Sequence, residues 1–317
     1  MDTYMDKLNL DEKRNILPEG TTLQMGKYRI DKLLSYSGFG IVYMATEMQF
    51  DERVAIKEFF MKSVNRRDGD STTISVTTPQ NKIVFDEQKA KFMMEAKRLR
   101  RLHNQHIVHI TDLFEENGTV YYVMNYIDGQ PLSNIVRQNG MIKEQEVFDY
   151  LNQTLDALEE IHSQKFVHLD IKPANLMVDK TGQIHVIDFA LSKSQFSEED
   201  VVVGYTHGYA PPEQMYGEIT KIGPWTDLYA LGATLYNLLT GQKPPSISQI
   251  AEEAEDAFLF PESIDIGFQA LITWMMDISP IKRSQSVERV RKMIEDLGLM
   301  DEFDDIADDD ATILNGD

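Results

Sequence analysis

The sequence predicts an α+β fold in two parts, an antiparallel sheet with one main helix followed by a mainly helical part. Short segments rich in β-branched and aromatic residues recur up to residue 127 and are bounded by turn residues. From residue 147 onwards, apolar residues at helical spacing dominate instead. A chain of 317 residues, of which 42% are hydrophobic, can bury a sizeable core as one two-lobed unit with short extensions.

The sheet part contains several predicted strands and one helix. The strands cover residues 28–34, 41–46, 53–59, 107–114 and 119–127. Residues 86–102 predict a helix, because their apolar residues lie on one side and Lys and Arg occupy the rest. The pair Asn117-Gly118 suits the tight turn of a hairpin between the last two strands. Together these segments predict a small antiparallel sheet with one helix.

The second part contains predicted helices and one short hairpin. The helices cover residues 147–161 and 227–240, and further helices fill residues 266–297. Two apolar segments on either side of residues 179–182 predict a hairpin with a polar turn. Asn175 precedes the first of these strands and Asp188 follows the second. The hairpin therefore brings these two polar side chains close together.

Composition excludes several classes of protein. The net charge of −21 argues against nucleic acid or an anionic membrane as the main partner. The chain has no cysteine, so it has neither disulfides nor thiolate metal sites. The N-terminus lacks the apolar segment of a secretory signal, and the apolar run at residues 228–239 is too short to span a bilayer. We expect a cytoplasmic protein without a membrane span in this chain.

The C-terminal residues are strongly acidic. Residues 295–310 contain nine acidic residues and no basic one, which predicts a solvated, poorly ordered tail. Two regulatory alternatives remain open. Thr312 can serve as a phosphorylation site for a phosphate-reading partner, or the tail can dock on a basic cluster made of Lys97, Arg98, Arg100 and Arg101.

The most informative stretch is residues 167–176. Within six residues it places a carboxylate on Asp170, an ammonium group on Lys172 and a carboxamide on Asn175, and Asp188 adds a second carboxylate after an apolar run. Phosphoryl transfer from a nucleotide uses such a set. One carboxylate orients the incoming hydroxyl, the Lys balances the charge of the transferred group, and Asn with the second Asp holds a divalent metal.

This stretch resembles the catalytic loop of protein kinases, His-Arg-Asp-x-x-x-x-Asn, with Leu169 in place of the Arg. The resemblance covers about residues 27–297. It implies the bilobal kinase fold, ATP and Mg²⁺ (or Mn²⁺) as cofactors, catalytic roles for Asp170 and Lys172, and metal binding by Asn175 and Asp188. Lys172 and Thr206, in the run Gly-Tyr-Thr-His-Gly-Tyr, match the serine/threonine type.

A lysine and a glutamate of the first part extend the resemblance. Lys57 lies in Val-Ala-Ile-Lys, which resembles the kinase strand whose Lys holds the α- and β-phosphates. A lone Lys on such a strand would otherwise indicate an edge strand. Glu95 resembles its ion-pair partner on the kinase helix. The separation is longer than usual in the family, so residues 61–85 are interpreted as an inserted loop.

Residues 34–42 resemble the glycine-rich loop of kinases, but Ser35 and Ser37 replace its first two glycines and only Gly40 is kept. By itself such a run also fits a plain hairpin turn. The resemblance implies a nucleotide pocket in which Met124 closes the rear and the backbone of residues 125–127 binds the base. The implied cofactor-binding residues are Leu34, Ser35, Ser37, Gly38, Phe39, Gly40, Val42, Ala55, Lys57, Met124, Asn125, Ile127 and Leu176.

Further motifs carry structural roles by the same resemblance. Asp-Phe-Ala at 188–190 resembles Asp-Phe-Gly with Ala190 in place of glycine. Glu213, in Ala-Pro-Pro-Glu, would pair with Arg283, and Asp227 would brace the backbone of the catalytic loop. The implied apolar column through both parts consists of His168, Phe189, Leu99 and Ile110.

Leu169 carries a prediction about regulation. In most protein kinases the Arg at this position neutralises a phosphate on the activation segment, and Leu has no charge to do so. We therefore expect activity without obligatory phosphorylation of residues 191–203. The runs Leu-Pro-Glu-Gly-Thr and Val-Ala-Ile-Lys-Glu-Phe-Phe look most like bacterial members of the family.

The predicted organisation is an extension at residues 1–26, a sheet lobe at 27–127, a helical lobe at 128–299 and an acidic tail at 300–317. The predicted function is a serine/threonine protein kinase. One alternative is a pseudokinase scaffold that binds nucleotide or a partner protein, because Ser35, Ser37, Leu169 and Ala190 depart from the motifs. The other alternative, a small-molecule kinase of the aminoglycoside or choline type, does not account for Lys172, Asp227 or the Ala-Pro-Pro-Glu run.

Overall fold

The computed structural model describes residues 8–38, 40–189, 193–194 and 204–299. The chain divides into two compact units. The first unit ends at Ile127 and the second begins at Asp128, except that residues 104–107 belong to the second unit. The first unit contains an antiparallel sheet with one long helix, and the second is mainly helical. This is the α+β order that the sequence predicts.

The first unit is built on a six-stranded antiparallel sheet with the order β1-β2-β3-β4-β8-β7. Asn117 and Gly118 both have positive φ, 53° and 76°, as the predicted tight hairpin between β7 and β8 requires. Within this unit the strands are β1 (Thr22–Leu23), β2 (Tyr28–Tyr36), β3 (Gly40–Glu47), β4 (Glu52–Phe59), β5 (Asn65–Arg67), β6 (Ile74–Val76), β7 (Ile110–Glu116) and β8 (Thr119–Asn125).

The long helix of the first unit, α2 (Pro79–Leu99), begins earlier than the sequence predicts; it follows the short α1 (Leu10–Arg14) along the chain. The predicted start at residue 86 is wrong, because the helix is capped at Thr78, whose side chain accepts from the backbone of Asn81, and Pro79 occupies its first position. The first turns are mostly exposed, so apolar periodicity does not reveal them. Further along, Phe92 stacks on Tyr122 with ring centroids 4.9 Å apart.

Residues 65–76, which the sequence predicts as loop, form the β5–β6 hairpin. This hairpin is tied to the sheet by a buried ion pair: Arg67 Nη2 lies 2.7 Å from Glu58 Oε2, and both side chains are fully buried. The hydroxyls of Tyr43 and Tyr121 donate to the same carboxylate, each at 2.9 Å. Arg67 Nε also donates to the carbonyl of Asn15, 3.0 Å away. One buried carboxylate therefore joins the sheet, the hairpin and the residues before β1.

The second unit contains small sheets and most of the helices. The strand order is β12-β11-β9 in one sheet and β10-β13 in another. The strands are β9 (Gly129–Pro131), β10 (Phe166–Val167), β11 (Leu176–Asp179), β12 (Ile184–Val186) and β13 (Lys193–Ser194). The helices are α3 (Leu132–Asn139), α4 (Glu144–Ser163), α5 (Pro212–Met215), α6 (Pro224–Thr240), α7 (Ile247–Glu253), α8 (Ile266–Met275) and α9 (Val287–Asp296).

Helix α6 forms the core of the second unit. Nearly all of its residues are buried, as expected for a helix that is apolar around its whole circumference. Gly232 permits close packing on α8, because a Cβ at this position would lie 2.9 Å from the Cβ of Met275. Among the residues that the structure describes, no helix combines the length and apolarity needed to cross a membrane.

Replacing Arg67 with Met is expected to lower the free energy of unfolding by about 3–5 kcal/mol, because it leaves the Glu58 carboxylate buried without its cation. Chemical denaturation monitored by circular dichroism measures this loss. The exposed Arg66 on the same hairpin provides the matched control, and Arg66→Met should change stability by less than about 0.5 kcal/mol. The double variant with Glu58→Gln should recover part of the loss. A loss in Arg67→Met no larger than that in Arg66→Met contradicts the assigned role.

Candidate active site

The β11–β12 hairpin positions two of the predicted site residues. Its strands pair antiparallel with Leu176 opposite Val186. Asn175 ends a 3₁₀ turn immediately before β11, and its carbonyl accepts a hydrogen bond from Ile187 N, 3.0 Å away. Asp188 is the next residue and has a φ of +60°, which is uncommon for a residue other than glycine. The hairpin thus places Asn175 and Asp188 at the same end of the small sheet.

The backbone of the catalytic stretch is held by Asp227, which lies on α6 and is fully buried. Its Oδ2 accepts from His168 N and its Oδ1 from Leu169 N, both at 2.8 Å. Leu169 has a φ of +66°, and such left-handed backbone in a non-glycine residue costs of order 1–3 kcal/mol. The two hydrogen bonds hold this conformation, so the bracing role that the sequence predicts for Asp227 is confirmed.

The charge state of Asp227 follows from its surroundings. Burial alone would raise the pKa of this carboxyl, but the side chain of His162, which donates from Nε2 at 2.8 Å, and the amide of His168 outweigh that effect. The pKa of Asp227 therefore lies below its ordinary value. Asp227 is a buried carboxylate that accepts three hydrogen bonds, which satisfies its charge.

Three side chains converge on the carboxylate of Asp170. Lys172 Nζ lies 3.0 Å and 2.8 Å from its two oxygens. Thr206 Oγ1 donates to Oδ1 at 2.7 Å, and Asn175 Nδ2 donates to Oδ2 at 2.8 Å. Lys172 Nζ also donates to Thr206 Oγ1 at 2.9 Å. The structure therefore brings together the four second-unit residues whose joint role the sequence predicts, and it fixes the orientation of the Asp170 carboxylate.

His168 belongs to the core rather than to acid–base chemistry. It is fully buried, and its ring packs on Phe189 with centroids 4.4 Å apart. Its Nδ1 accepts from Asp170 N at 3.2 Å, and its Nε2 lies 3.3 Å from the carbonyl of Ile187, a pairing that suits a neutral ring with the proton on Nε2. Burial lowers the pKa of His168 below its ordinary value. Leu99 and Ile110, predicted to continue this apolar column, are buried in the first unit.

The donor set at the end of the hairpin fits a hard divalent cation. Asn175 uses its amide nitrogen on Asp170, with a second hydrogen bond to the Asp170 carbonyl at 2.9 Å, which leaves the amide oxygen as the atom able to bind metal. Asp188, two residues past the end of β12, carries the second oxygen donor, a carboxylate. Among the described residues there is no group of three or more His, Cys, Asp and Glu side chains that could hold a metal. Two oxygen donors suit Mg²⁺, which keeps several waters and binds substrate phosphates.

Lys57 lies in the interior of the first sheet, not at an edge. It is on β4, which is hydrogen-bonded to β3 on one side and β8 on the other, and it is 7% exposed. Its Nζ lies 3.9 Å from Glu95 Oε1 on α2. The rings of Phe92 and Tyr122 are also within 6 Å of this ammonium group, at 5.9 Å and 5.7 Å. A buried lysine held between a carboxylate and two aromatic rings has a fixed position.

The predicted glycine-rich loop is the connection between β2 and β3. Ser37 closes it, because its backbone N–H and its hydroxyl both donate to the carbonyl of Gly40, at 2.9 Å and 3.0 Å. A Cβ at Gly40 would lie 3.2 Å from the carbonyl oxygen of Glu58 and 3.3 Å from Cε of Lys57, so the backbone here packs tightly against β4. A Cβ at Gly38 would meet no described atom within 4 Å. Leu34 and Ser35, on β2, are half-buried.

The residues predicted to line the adenine pocket are distributed over both units. In the first unit, Ala55 lies opposite Met124 in the sheet, and Val42 lies opposite Lys57. The N–H of Asn125 donates to the carbonyl of His109 at 3.1 Å, so of its backbone groups only the carbonyl is left to bind a base. Ile127 ends this unit and is half-buried, and Leu176 is buried in the second unit.

The predicted pair of Glu213 and Arg283 is confirmed. The guanidinium donates to both carboxylate oxygens at 2.8 Å, and both side chains are fully buried. Thr226 Oγ1 donates to the same carboxylate at 3.0 Å. This bidentate pair anchors the short helix α5 to the second unit.

Gln214, next to Glu213, is a site residue that the sequence reasoning missed. It is 1% exposed, and its amide nitrogen donates to the carbonyls of Leu169 at 2.7 Å and Gly204 at 3.0 Å. The sequence gives little signal for it beyond its place after the Ala-Pro-Pro-Glu run, because both partners are backbone groups distant in sequence. Other predicted features, at Phe39, Ala190 and Thr312, lie outside the described residues.

The sequence model of the protein kinase domain matches residues 28–293 of this chain. The chain therefore belongs to the protein kinase domain family, and the two-part α+β fold is the kinase fold. A solved structure, the apo form of PpkA-294, superposes with a TM-score of 0.76 at 28% sequence identity, covering 88% of this chain and 99% of that chain.

Several similar proteins are bacterial serine/threonine kinases. The chain is similar to the serine/threonine-protein kinase PrkC of Bacillus subtilis, at 32% identity over 69% of this chain and 31% of that protein. It is also similar to serine/threonine-protein kinase B of Synechocystis, at 30% identity over 87% of this chain and 48% of that protein. The chain thus spans less than half the length of these two relatives.

Proposed function

We propose that the chain is an active serine/threonine protein kinase that transfers the γ-phosphoryl group of Mg-ATP to Ser and Thr hydroxyls of a protein substrate. The observation that carries this proposal is the arrangement around Asp170, whose carboxylate is fixed by Lys172, Thr206 and Asn175 at 2.7–3.0 Å. The resemblance of its sequence to bacterial serine/threonine kinases supports the same substrate class.

The residues of the second unit divide the chemistry between them. Asp170 accepts a hydrogen bond from the substrate hydroxyl and so directs the oxygen lone pair for in-line attack. Lys172 balances the negative charge that develops on the transferred group, since its ammonium is already held beside Asp170 by two hydrogen bonds. Thr206 restrains both side chains, and it matches the threonine that contacts the catalytic Asp and Lys in serine/threonine kinases.

The nucleotide and metal fit the remaining residues. ATP supplies the phosphoryl group, and Mg²⁺ neutralises phosphate charge when it is bound. Asn175 and Asp188 offer the oxygen ligands for Mg²⁺, or for Mn²⁺ in its place. Lys57, held by Glu95, offers a charge for the α- and β-phosphates, and Ser37 and Gly38 lie in the loop that covers them.

The second part of the proposal concerns activation. Leu169 is buried and carries no charge, so it cannot bind a phosphate on the activation segment. Its backbone is already held through Asp227. We infer that the catalytic loop is ordered without phosphorylation of residues 191–203, which distinguishes this chain from kinases that carry Arg at this position.

Replacing Asp170 with Asn or Lys57 with Met is expected to lower the rate of phosphoryl transfer by at least about 100-fold, because each removes a charged group that acts on the reacting phosphates or hydroxyl. Transfer of label from γ-labelled ATP with Mg²⁺ to a generic protein substrate measures the rate. Asp256→Asn and Lys32→Met change exposed residues to the same types and should keep the wild-type rate.

The same assay distinguishes the competing function. Ser35 and Ser37 replace glycines of the phosphate loop, and this specific departure favours a nucleotide-binding scaffold as the second candidate. If the wild-type chain transfers no label while it still binds nucleotide, the scaffold function replaces the kinase proposal. Equal transfer by wild type and Asp170→Asn would show that a contaminant makes the labelled product. The kinase proposal would then lose its support.

A variant that lacks the hydroxyls of residues 191–203 tests the inference that the catalytic loop is ordered without their phosphorylation. Residues 191–203 contain the serines Ser192, Ser194 and Ser197 and no threonine or tyrosine. The triple Ser→Ala variant should phosphorylate substrate within about twofold of the wild-type rate, because no phosphate is needed to order the loop. A loss of more than about tenfold, with phosphate found on these serines in the wild type, contradicts it.

A further inference from the structure

Because residue 169 is Leu and not Arg, another contact must join the activation segment to the catalytic loop. Thr206 donates to Asp170, so the backbone around Thr206 must keep a fixed position relative to the catalytic loop for this hydrogen bond to form. In phosphate-dependent kinases, a charged contact across these two segments supplies that connection. Here the described residues offer a neutral contact in its place.

That contact is the side chain of Gln214. Its amide nitrogen carries two hydrogens, and the two carbonyls it reaches belong to Leu169, next to Asp170, and Gly204, two residues before Thr206. One side chain therefore joins both backbone segments that deliver the groups around Asp170. Its burial strengthens the effect, because each carbonyl would lose its hydrogen bond without a water to replace it.

The base of this link is rigid. Gln214 lies in α5, and the neighbouring Glu213 is bound by Arg283 through two buried hydrogen bonds. On the other side, Asp227 accepts from the N–H of Leu169, the residue whose carbonyl Gln214 contacts. The segment of Thr206 is closed by its own turn, in which Tyr209 N and Ala210 N donate to the Thr206 carbonyl.

We propose that Gln214 is a positioning residue that links the activation segment to the catalytic loop and replaces the phosphate-dependent contact that Leu169 cannot make. This inference rests on the proposed kinase function. Gln214 touches no reacting group. It acts through Gly204 and Leu169, and so sets the positions of Thr206 and Asp170.

Two substitutions separate hydrogen bonding from packing. Gln214→Met keeps an unbranched side chain of similar length without donors, and Gln214→Glu keeps the shape but turns a carboxylate toward two carbonyl oxygens. Gln269→Met is the matched control, because Gln269 also donates its amide to a backbone carbonyl, that of Ile264, at 2.8 Å. All variants are made in the background with alanine at Ser192, Ser194 and Ser197, so that no phosphate on these residues can substitute for the link.

Two readouts are measured on each variant. Steady-state kinetics separates kcat from the KM for ATP, and hydrogen exchange reports the protection of the backbone amides of Tyr209 and Ala210. Gln214→Met and Gln214→Glu should lower kcat by roughly 10- to 100-fold, because the groups around Asp170 are displaced, and should leave the KM for ATP within about twofold. Exchange should quicken at residues 204–210, and Gln269→Met should change neither readout.

Two results overturn the proposal for Gln214. The first is unchanged kcat together with unchanged exchange at residues 204–210 in both Gln214 variants. The second is faster exchange throughout the second unit, because Gln214 would then be a general packing residue. If the triple-alanine background and the unmutated chain are both inactive, the kinase proposal fails. The exchange measurement then still decides whether Gln214 holds the segment.

Discussion

The arrangement around Asp170 depends on one buried carboxylate, that of Asp227. A leucine does not adopt positive φ without compensation, and Leu169 does so at +66° because its N–H and that of His168 both donate to this carboxylate. Asp227 can stay charged in the core because His162 donates to it as well. The helix that carries it, α6, is almost entirely buried and thus provides a rigid base.

Buried charge specifies structure at two other places in the chain. Glu58 receives Arg67 and two tyrosine hydroxyls, and so attaches the β5–β6 hairpin to the sheet that carries Lys57. Glu213 receives Arg283 and so anchors the helix that presents Gln214. In each case the carboxylate is satisfied by several donors with fixed geometry, which is the condition under which a buried ion contributes to a unique structure.

The sequence alone is sufficient for the parts of this account that rest on local pattern. The strands around Lys57, the hairpin between Asn175 and Asp188, and the pairing of Glu213 with Arg283 follow from periodicity or from motif resemblance. The early start of α2 does not follow, because its first turns are mostly exposed and lack apolar periodicity. The β5–β6 hairpin does not follow, because it depends on a partner distant in sequence, the carbonyl of Asn117 that accepts from Ile74 N. The role of Gln214 could not be predicted either, because its two acceptors are backbone carbonyls, which any residue type provides.

The replacement of Asp227 with Asn tests the central dependence most directly. The amide keeps the size of the side chain, but one of its two polar atoms becomes a donor that faces a backbone N–H. If the carboxylate holds Leu169 and thereby places Asp170, the variant should fold, bind ATP within about twofold of the wild-type affinity, and lose roughly 100-fold in kcat. A folded variant with the wild-type kcat would contradict the account, because the catalytic loop would then keep its geometry without this charge.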